Sequence, residues 1–218
     1  MAASSSDALA FETLTRDLRR IFEQRLTSLV AYGERDRDGT HTLALVDQLT
    51  FSDLAKCVPL TSTWHRMGLA TPLILTQHEF GRSLDVFPLE YGDIIAHHVV
   101  VSGSDPFTLL VVAEADLRRG CERQVKSHLI HLREGFLETA GNSAEIARLI
   151  AASATPLRTL LVHLESLEPG AAARAGISGE LIREVAAAGD TTIADPSALL
   201  ARYVAAVERL WQYVDAWR

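Results

Sequence analysis

The rhythm of hydrophobic positions changes once along the chain. Between Leu26 and Val112, short apolar runs alternate with helical or turn segments; from Glu114 to Arg218, apolar residues recur at helical spacing almost throughout. The first pattern predicts a sheet flanked by helices, the second a helical bundle. The expected organisation is an α/β N-terminal domain over residues 1–113 and an all-α C-terminal domain over 114–218.

Within the first part, Leu9, Phe11, Leu14, Leu18, Ile21, Phe22 and Leu26 form one apolar stripe and predict a helix over about 7–25. Leu26–Tyr32 reads as a buried strand, Gly33 as a tight turn and Leu43–Val46 as a second strand. A helix over 50–67 follows, kinked or split by Pro59 and stopped at Gly68. Pro72–Thr76 is a third strand and 77–83 a short helix. Leu84–Tyr91 reads as a fourth strand or strand edge, because Pro88 cannot donate to a ladder. His97–Val101 is a fifth extended run, closed by Ser102-Gly103-Ser104-Asp105-Pro106.

The second part opens with a long helix over 114–139, whose expected buried seam is Leu117, Cys121, Val125, Leu129, Leu132 and Phe136. A helix over 144–168 bends near Pro156, a short one starts at Ser178, and Asp195-Pro196 marks the start of the last.

Composition narrows the classes. No apolar run approaches the roughly 18 residues that span a bilayer, and residues 1–10 lack the basic residues and apolar core of an export signal. The expectation is a cytoplasmic protein with no membrane partner. A formal net charge of −7 argues against a nucleic-acid partner, which needs Lys and Arg to neutralise phosphates. Cys57 and Cys121 have no metal-binding spacing and read as buried apolar side chains.

The chemistry lies in the hairpin Leu29-Val30-Ala31-Tyr32-Gly33-Glu34 to Thr40-His41-Thr42-Leu43-Ala44-Leu45-Val46, followed in order by Pro72–Thr76, Asp85–Ile94, Gly103–Phe107 and the helical segment from Leu117 to Leu137. In this order and spacing the chain resembles bacterial nucleotidyltransferases that pair a minimal polymerase-β-type domain with an all-helical C-terminal domain. The resemblance spans nearly the whole chain. It implies a mixed sheet flanked by helices. It further implies a Gly-Ser turn that cradles nucleotide phosphates, an Asp-x-Asp pair on the second strand holding magnesium, and a third carboxylate on a neighbouring strand.

This chain departs from that pattern. Gly33 is kept, but Glu34 stands at the serine position, and the paired carboxylates fall on His41 and Leu43. Glu90 or Asp85 is the expected third carboxylate. One carboxylate and a histidine make a poor magnesium site, since magnesium takes hard oxygens. Gly33, Glu34, His41, Asp85 and Glu90 are therefore candidates for a vestigial site, with no catalytic or metal-ligating residue expected. His97 and His98 point to opposite faces of a strand, and His128 with His131 lacks further ligands. Arg118 and Glu122, on the polar side of the long helix, are candidates to border a cleft; Trp211, Tyr213 and Trp217 could serve a homodimer through the C-terminal helices.

The function expected is a catalytically degenerate nucleotidyltransferase-superfamily protein that acts as a binding or regulatory module, with no cofactor. A second reading is an active enzyme that moves a nucleoside monophosphate to a hydroxyl, using Mg2+, a nucleoside triphosphate and an unusual set such as Asp36, Asp38, Asp47 and Glu90. A third is a purely structural oligomerisation module.

Overall fold

The structure, a computed structural model, describes residues 5–36, 39–188 and 192–217. The chain divides into two compact units, Met1–Ala113 and Glu114–Arg218. The first begins with helix α1 (Ser5–Phe22) and a 3-10 turn (Glu23–Arg25), then the strands β1 (Leu26–Asp36) and β2 (Gly39–Val46). Helix α2 (Phe51–Cys57), a 3-10 turn (Val58–Leu60) and α3 (Thr61–Arg66) lead to β3 (Leu73–Thr76), α4 (Gln77–Arg82), α5 (Pro88–Ala96) and β4 (His98–Gly103). The four strands form one mixed sheet in the order β3-β2-β1-β4. β1 pairs antiparallel with β2 and β4, while β2 pairs parallel with β3. Only the parallel pair needs a crossover, and α2 and α3 supply it.

Side-chain alternation gives the sheet two covered faces. Leu29, Ala44 and Val46 pack with Leu14, Leu18 and Phe22 of α1 and Trp64 of α3. Val30, Leu43 and Leu45 pack on the other face with Phe80 of α4, Ile94 of α5 and Phe107. With helices on both sides, β2 is buried along almost its whole length, which explains its near-continuous apolar sequence. The buried Trp64 indole donates to Asp17 Oδ2 at 3.1 Å, whereas the buried Thr42 hydroxyl of β2 has no hydrogen-bond partner among the described residues. Gly39 starts β2 with φ +114, and a Cβ there would stand 2.4 Å from the Gly68 carbonyl oxygen. Both the backbone angle and the close approach require glycine.

The sheet-and-helix class agrees with the sequence reading, but one strand does not. Residues 83–87 form turns, and Pro88 opens α5 instead of ending a strand edge. Proline's fixed φ and missing N–H suit the first helical position as well as a sheet edge. Packing selects the helix, because Leu89 and Ile94 are buried while Glu90 is exposed. The helix expected over 50–67 is split at Val58–Leu60. The β1–β2 hairpin is longer than expected, because pairing resumes at Asp36↔Gly39 beyond the irregularity at Gly33.

The second unit comprises α6 (Glu114–Glu138), α7 (Ser143–Leu167), α8 (Ala171–Arg174), α9 (Gly179–Ala187) and α10 (Pro196–Asp215). Its core includes Cys121, Val125, Leu129, Ile150, Leu160, Leu164, Tyr203, Val207 and Leu210. The seam of α6 takes in His128, whereas Phe136, expected inside, is 44% exposed. Asn142 caps α7 and Asp195 caps α10 through side-chain oxygens, the second as the Asp195-Pro196 pair predicts. No helix among the described residues is long and apolar enough to cross a membrane.

Candidate functional site

The β1–β2 hairpin sets the geometry. Gly33 follows the buried part of β1 with φ +68, and no neighbour lies within 4 Å of where a Cβ would stand. The left-handed backbone, not a crowding neighbour, is what favours glycine here. Glu34 continues β1, but its side chain lies outside the described residues, as does that of Asp36. Asp38 lies outside them altogether.

The register Tyr32↔His41 and Val30↔Leu43 puts these four residues on one face, the one packed by α4 and α5. Leu43 is 0% exposed and sits among Val30, Leu45 and Phe80. A carboxylate in its place would be surrounded by hydrocarbon and would lose its hydration without replacement. His41 is half-buried, its ring 5.8 Å from that of Tyr32. Burial, with a smaller effect of the nearby Tyr91, raises the Tyr32 phenol above its ordinary range, so it stays neutral.

On the other side of β1, Tyr32 is paired with His98 of β4. His41, Tyr32 and His98 therefore form a row across three strands. His98 Nδ1 lies 3.0 Å from the Ile95 carbonyl oxygen and Nε2 lies 3.3 Å from Asp105 Oδ1. The ring meets Phe107 edge-on at 4.7 Å. Asp105 Oδ1 also accepts the Phe107 N–H at 2.9 Å, so this carboxylate is tied into its own loop. Tyr91 of α5 stacks on Phe80 at 4.5 Å and extends the aromatic surface.

The remaining candidates are placed apart. Asp85 is exposed in the turns before α5, and Glu90 is exposed in the first turn of that helix, not on a strand beside β2. The expected third-carboxylate position on a strand is thus overturned for both. Asp47 follows the far end of β2. Eight residue steps of about 3.3 Å separate it from Gly39 at the hairpin tip, roughly 26 Å. Asp47 is therefore remote from the Asp36↔Gly39 backbone pair at that tip. Among the described residues no group of three or more His, Cys, Asp or Glu stands close enough to hold a metal ion.

In the helical unit, Arg118 Nη2 pairs with Glu114 at 2.6 Å and its guanidinium lies 6.0 Å from the Trp217 ring. Glu122 pairs with Lys126, which also reaches Asp215 at 3.1 Å and lies 5.5 Å from the Trp211 ring. His128 is buried 2.6 Å from Tyr203 Oη, whereas His131 is exposed beside Glu134. The two histidines do not form a shared site.

Sequence reasoning missed Tyr32 as the neighbour of His41, and His98 with Asp105 on the far side of Tyr32. Alternation puts Val30 with Tyr32 on one face of β1 and His41 with Leu43 on one face of β2, but the β1–β2 register is what joins the two pairs. Only the register of β1 against β4 adds His98, and register is not written in any one strand.

No protein-family model matches the chain, and no curated protein matches it in sequence. Among solved structures it is similar to a crystal structure of spectinomycin adenyltransferase AAD(9) from Enterococcus faecialis with ATP and spectinomycin. The TM-score is 0.55 and the identity 11%, over 95% of this chain and 98% of that one. The likeness establishes a nucleotidyltransferase fold with a helical C-terminal region.

Proposed function

We propose that this chain belongs to the nucleotidyltransferase superfamily, has lost nucleotidyl transfer, and works as a binding or regulatory module. The carrying observation is the pair of positions on β2 where the resemblance calls for two carboxylates. One is Leu43, fully buried in an apolar core, and the other is His41, beside Tyr32. Two magnesium ions held against a triphosphate require several hard oxygen donors converging on one face. The described residues of that face offer the imidazoles of His41 and His98, the phenols of Tyr32 and Tyr91, and one carboxylate, Asp105, already tied to His98 and to its own loop, so they do not fit the ions.

The fold likeness over almost the whole chain supports descent from a nucleotide-handling scaffold. The row His41–Tyr32–His98 and the aromatic surface of Phe80 and Tyr91 support a retained ligand face. Such a face favours flat or weakly charged ligands over a metal-bound triphosphate. The distance spanned by β2 weighs against the alternative metal set of Asp36, Asp38, Asp47 and Glu90.

Calorimetric titration with ATP, with and without magnesium, tests the proposal. The expected result is that magnesium adds nothing to ATP affinity. A metal-dependent gain of about tenfold or more, worth about 1.4 kcal/mol, would restore the enzyme reading.

A further inference from the structure

Strand β4 ends the sheet, so one side of its backbone has no strand partner among the described residues. Such an edge normally carries Lys, Pro or inward charge to prevent unwanted pairing. Here the sequence is His98-Val99-Val100-Val101-Ser102-Gly103, with none of these. A register shift opposite Leu29 and Val30 interrupts it once, but the pairs Val30↔Val100, Ala31↔Val99 and Tyr32↔His98 run in step. Val99 is 50% exposed and Val100 is 38% exposed.

Beside this edge, between β4 and α1, lies an open groove of about 830 Å³ lined by Phe11, Thr15, Arg16, Arg19, Val99 and Val101 among others. Its floor is apolar, whereas its α1 side carries Arg16, Arg19 and Arg20, a cationic row on a chain of net charge −7. Arg19 donates to Ser102 Oγ at 2.9 Å, which holds its guanidinium over the strand. Arg16 lies 3.6 Å from Asp17, whose other oxygen accepts the Trp64 indole. Arg20 has no carboxylate partner among the described residues. Glu12 is the one carboxylate in the lining, against three guanidinium groups.

We propose that this groove docks an extended acidic segment of a partner protein, which adds a strand to the free edge of β4. Outward N–H and C=O groups of β4 would pair with the segment's backbone. Alternate apolar side chains of the segment would cover Phe11, Val99 and Val101, and its carboxylates would meet Arg16, Arg19 and Arg20. A second copy of this chain fits less well. Antiparallel pairing of β4 with itself about a two-fold axis puts both α1 rows on the same face of the joined sheet, cation against cation.

The test uses the full chain and a fluorescein-labelled peptide of alternating Glu and Val, with a Lys–Val peptide as control, read by fluorescence anisotropy. The Glu–Val peptide is expected to bind about tenfold or more tightly than the control, and to slow amide exchange at Val99 to Ser102. Arg16→Glu with Arg20→Glu is expected to cut its affinity about tenfold or more at an unchanged melting temperature. Val99→Glu, at an exposed position, is a second variant expected to weaken it by repulsion without touching the arginines. Equal affinity for the two peptides would overturn the proposal. So would affinities unchanged in both variants, protection elsewhere than β4, displacement by a single-stranded oligonucleotide, or a homodimer that protects the same amides. None of these readouts involves the His41 face, so failure here leaves the function proposed above standing.

Discussion

Leu43 decides what the site can be. It is fully buried in one apolar cluster with Val30, Leu45 and Phe80, which ties the hairpin to α4. Leu43→Ala is expected to cost about 2–5 kcal/mol, read as a lower urea midpoint at unchanged slope. Leu43→Asp is expected to cost more, because the carboxylate would be buried without a partner. If Leu43→Asp instead left stability intact, the position would be open to water and the apolar-core assignment would fail. The lack of an oxygen donor at position 43 was legible in the sequence. The neighbours of the site were not: Tyr32 reaches His41 through the β1–β2 register, and His98 and Asp105 arrive through the β1–β4 register and the loop after it.

At the scale of elements, two local devices make stability depend on pH in separate windows. At the start of α2, Thr50 and Asp53 form a capping box, and Asp53 also receives both Arg25 nitrogens at 2.8 and 2.9 Å. The Arg25 and Thr50 hydrogen bonds hold the Asp53 carboxyl well below its ordinary range. A carboxyl depressed in the folded state stabilises fully above the ordinary carboxylate range, and that contribution fades as pH falls below it. Asp53→Asn is therefore expected to lower the melting temperature at neutral pH, with the difference from wild type shrinking in acid. A constant difference across pH would contradict the ion pair. In α6, burial, with a smaller effect of His131, lowers the His128 imidazole from 6.5 to about 4. Between those values the unfolded chain takes a proton that the folded chain refuses, so stability drops on acidification, by about 3 kcal/mol at the lower end. His128→Phe keeps the ring and is expected to remove that slope in a pH series of denaturant melts; an unchanged slope would assign it elsewhere. The element that sequence misread, Leu84–Tyr91, shows why boundaries fail. Leu84 and Val86 alternate like a strand, and Pro88 satisfies both an edge and a helix start. Only the burial of Leu89 and of Ile94, the latter in the cluster on the sheet with Phe80, decides between them.

For the molecule as a whole, the ordering of blocks carried most of the fold. Apolar runs located all four strands, with β3 and β4 starting one residue later than expected and β1 and β2 each four residues longer, but also predicted a strand over 84–91 where the chain forms turns and a helix. Start signals at Ser178 and Asp195 located two helices of the second unit. The site was less legible, because its meaning lies in which side chains share a face, and that follows from pairing between distant segments. The central claim is that this scaffold no longer grips a divalent ion against a triphosphate. The most direct measurement is a titration of the isotope-labelled protein with manganese and ATP, following paramagnetic broadening of the amide signals. The account predicts that Tyr32, Gly33, His41 and Leu43 keep their linewidths. Selective broadening of those four signals, requiring both manganese and ATP, would contradict it.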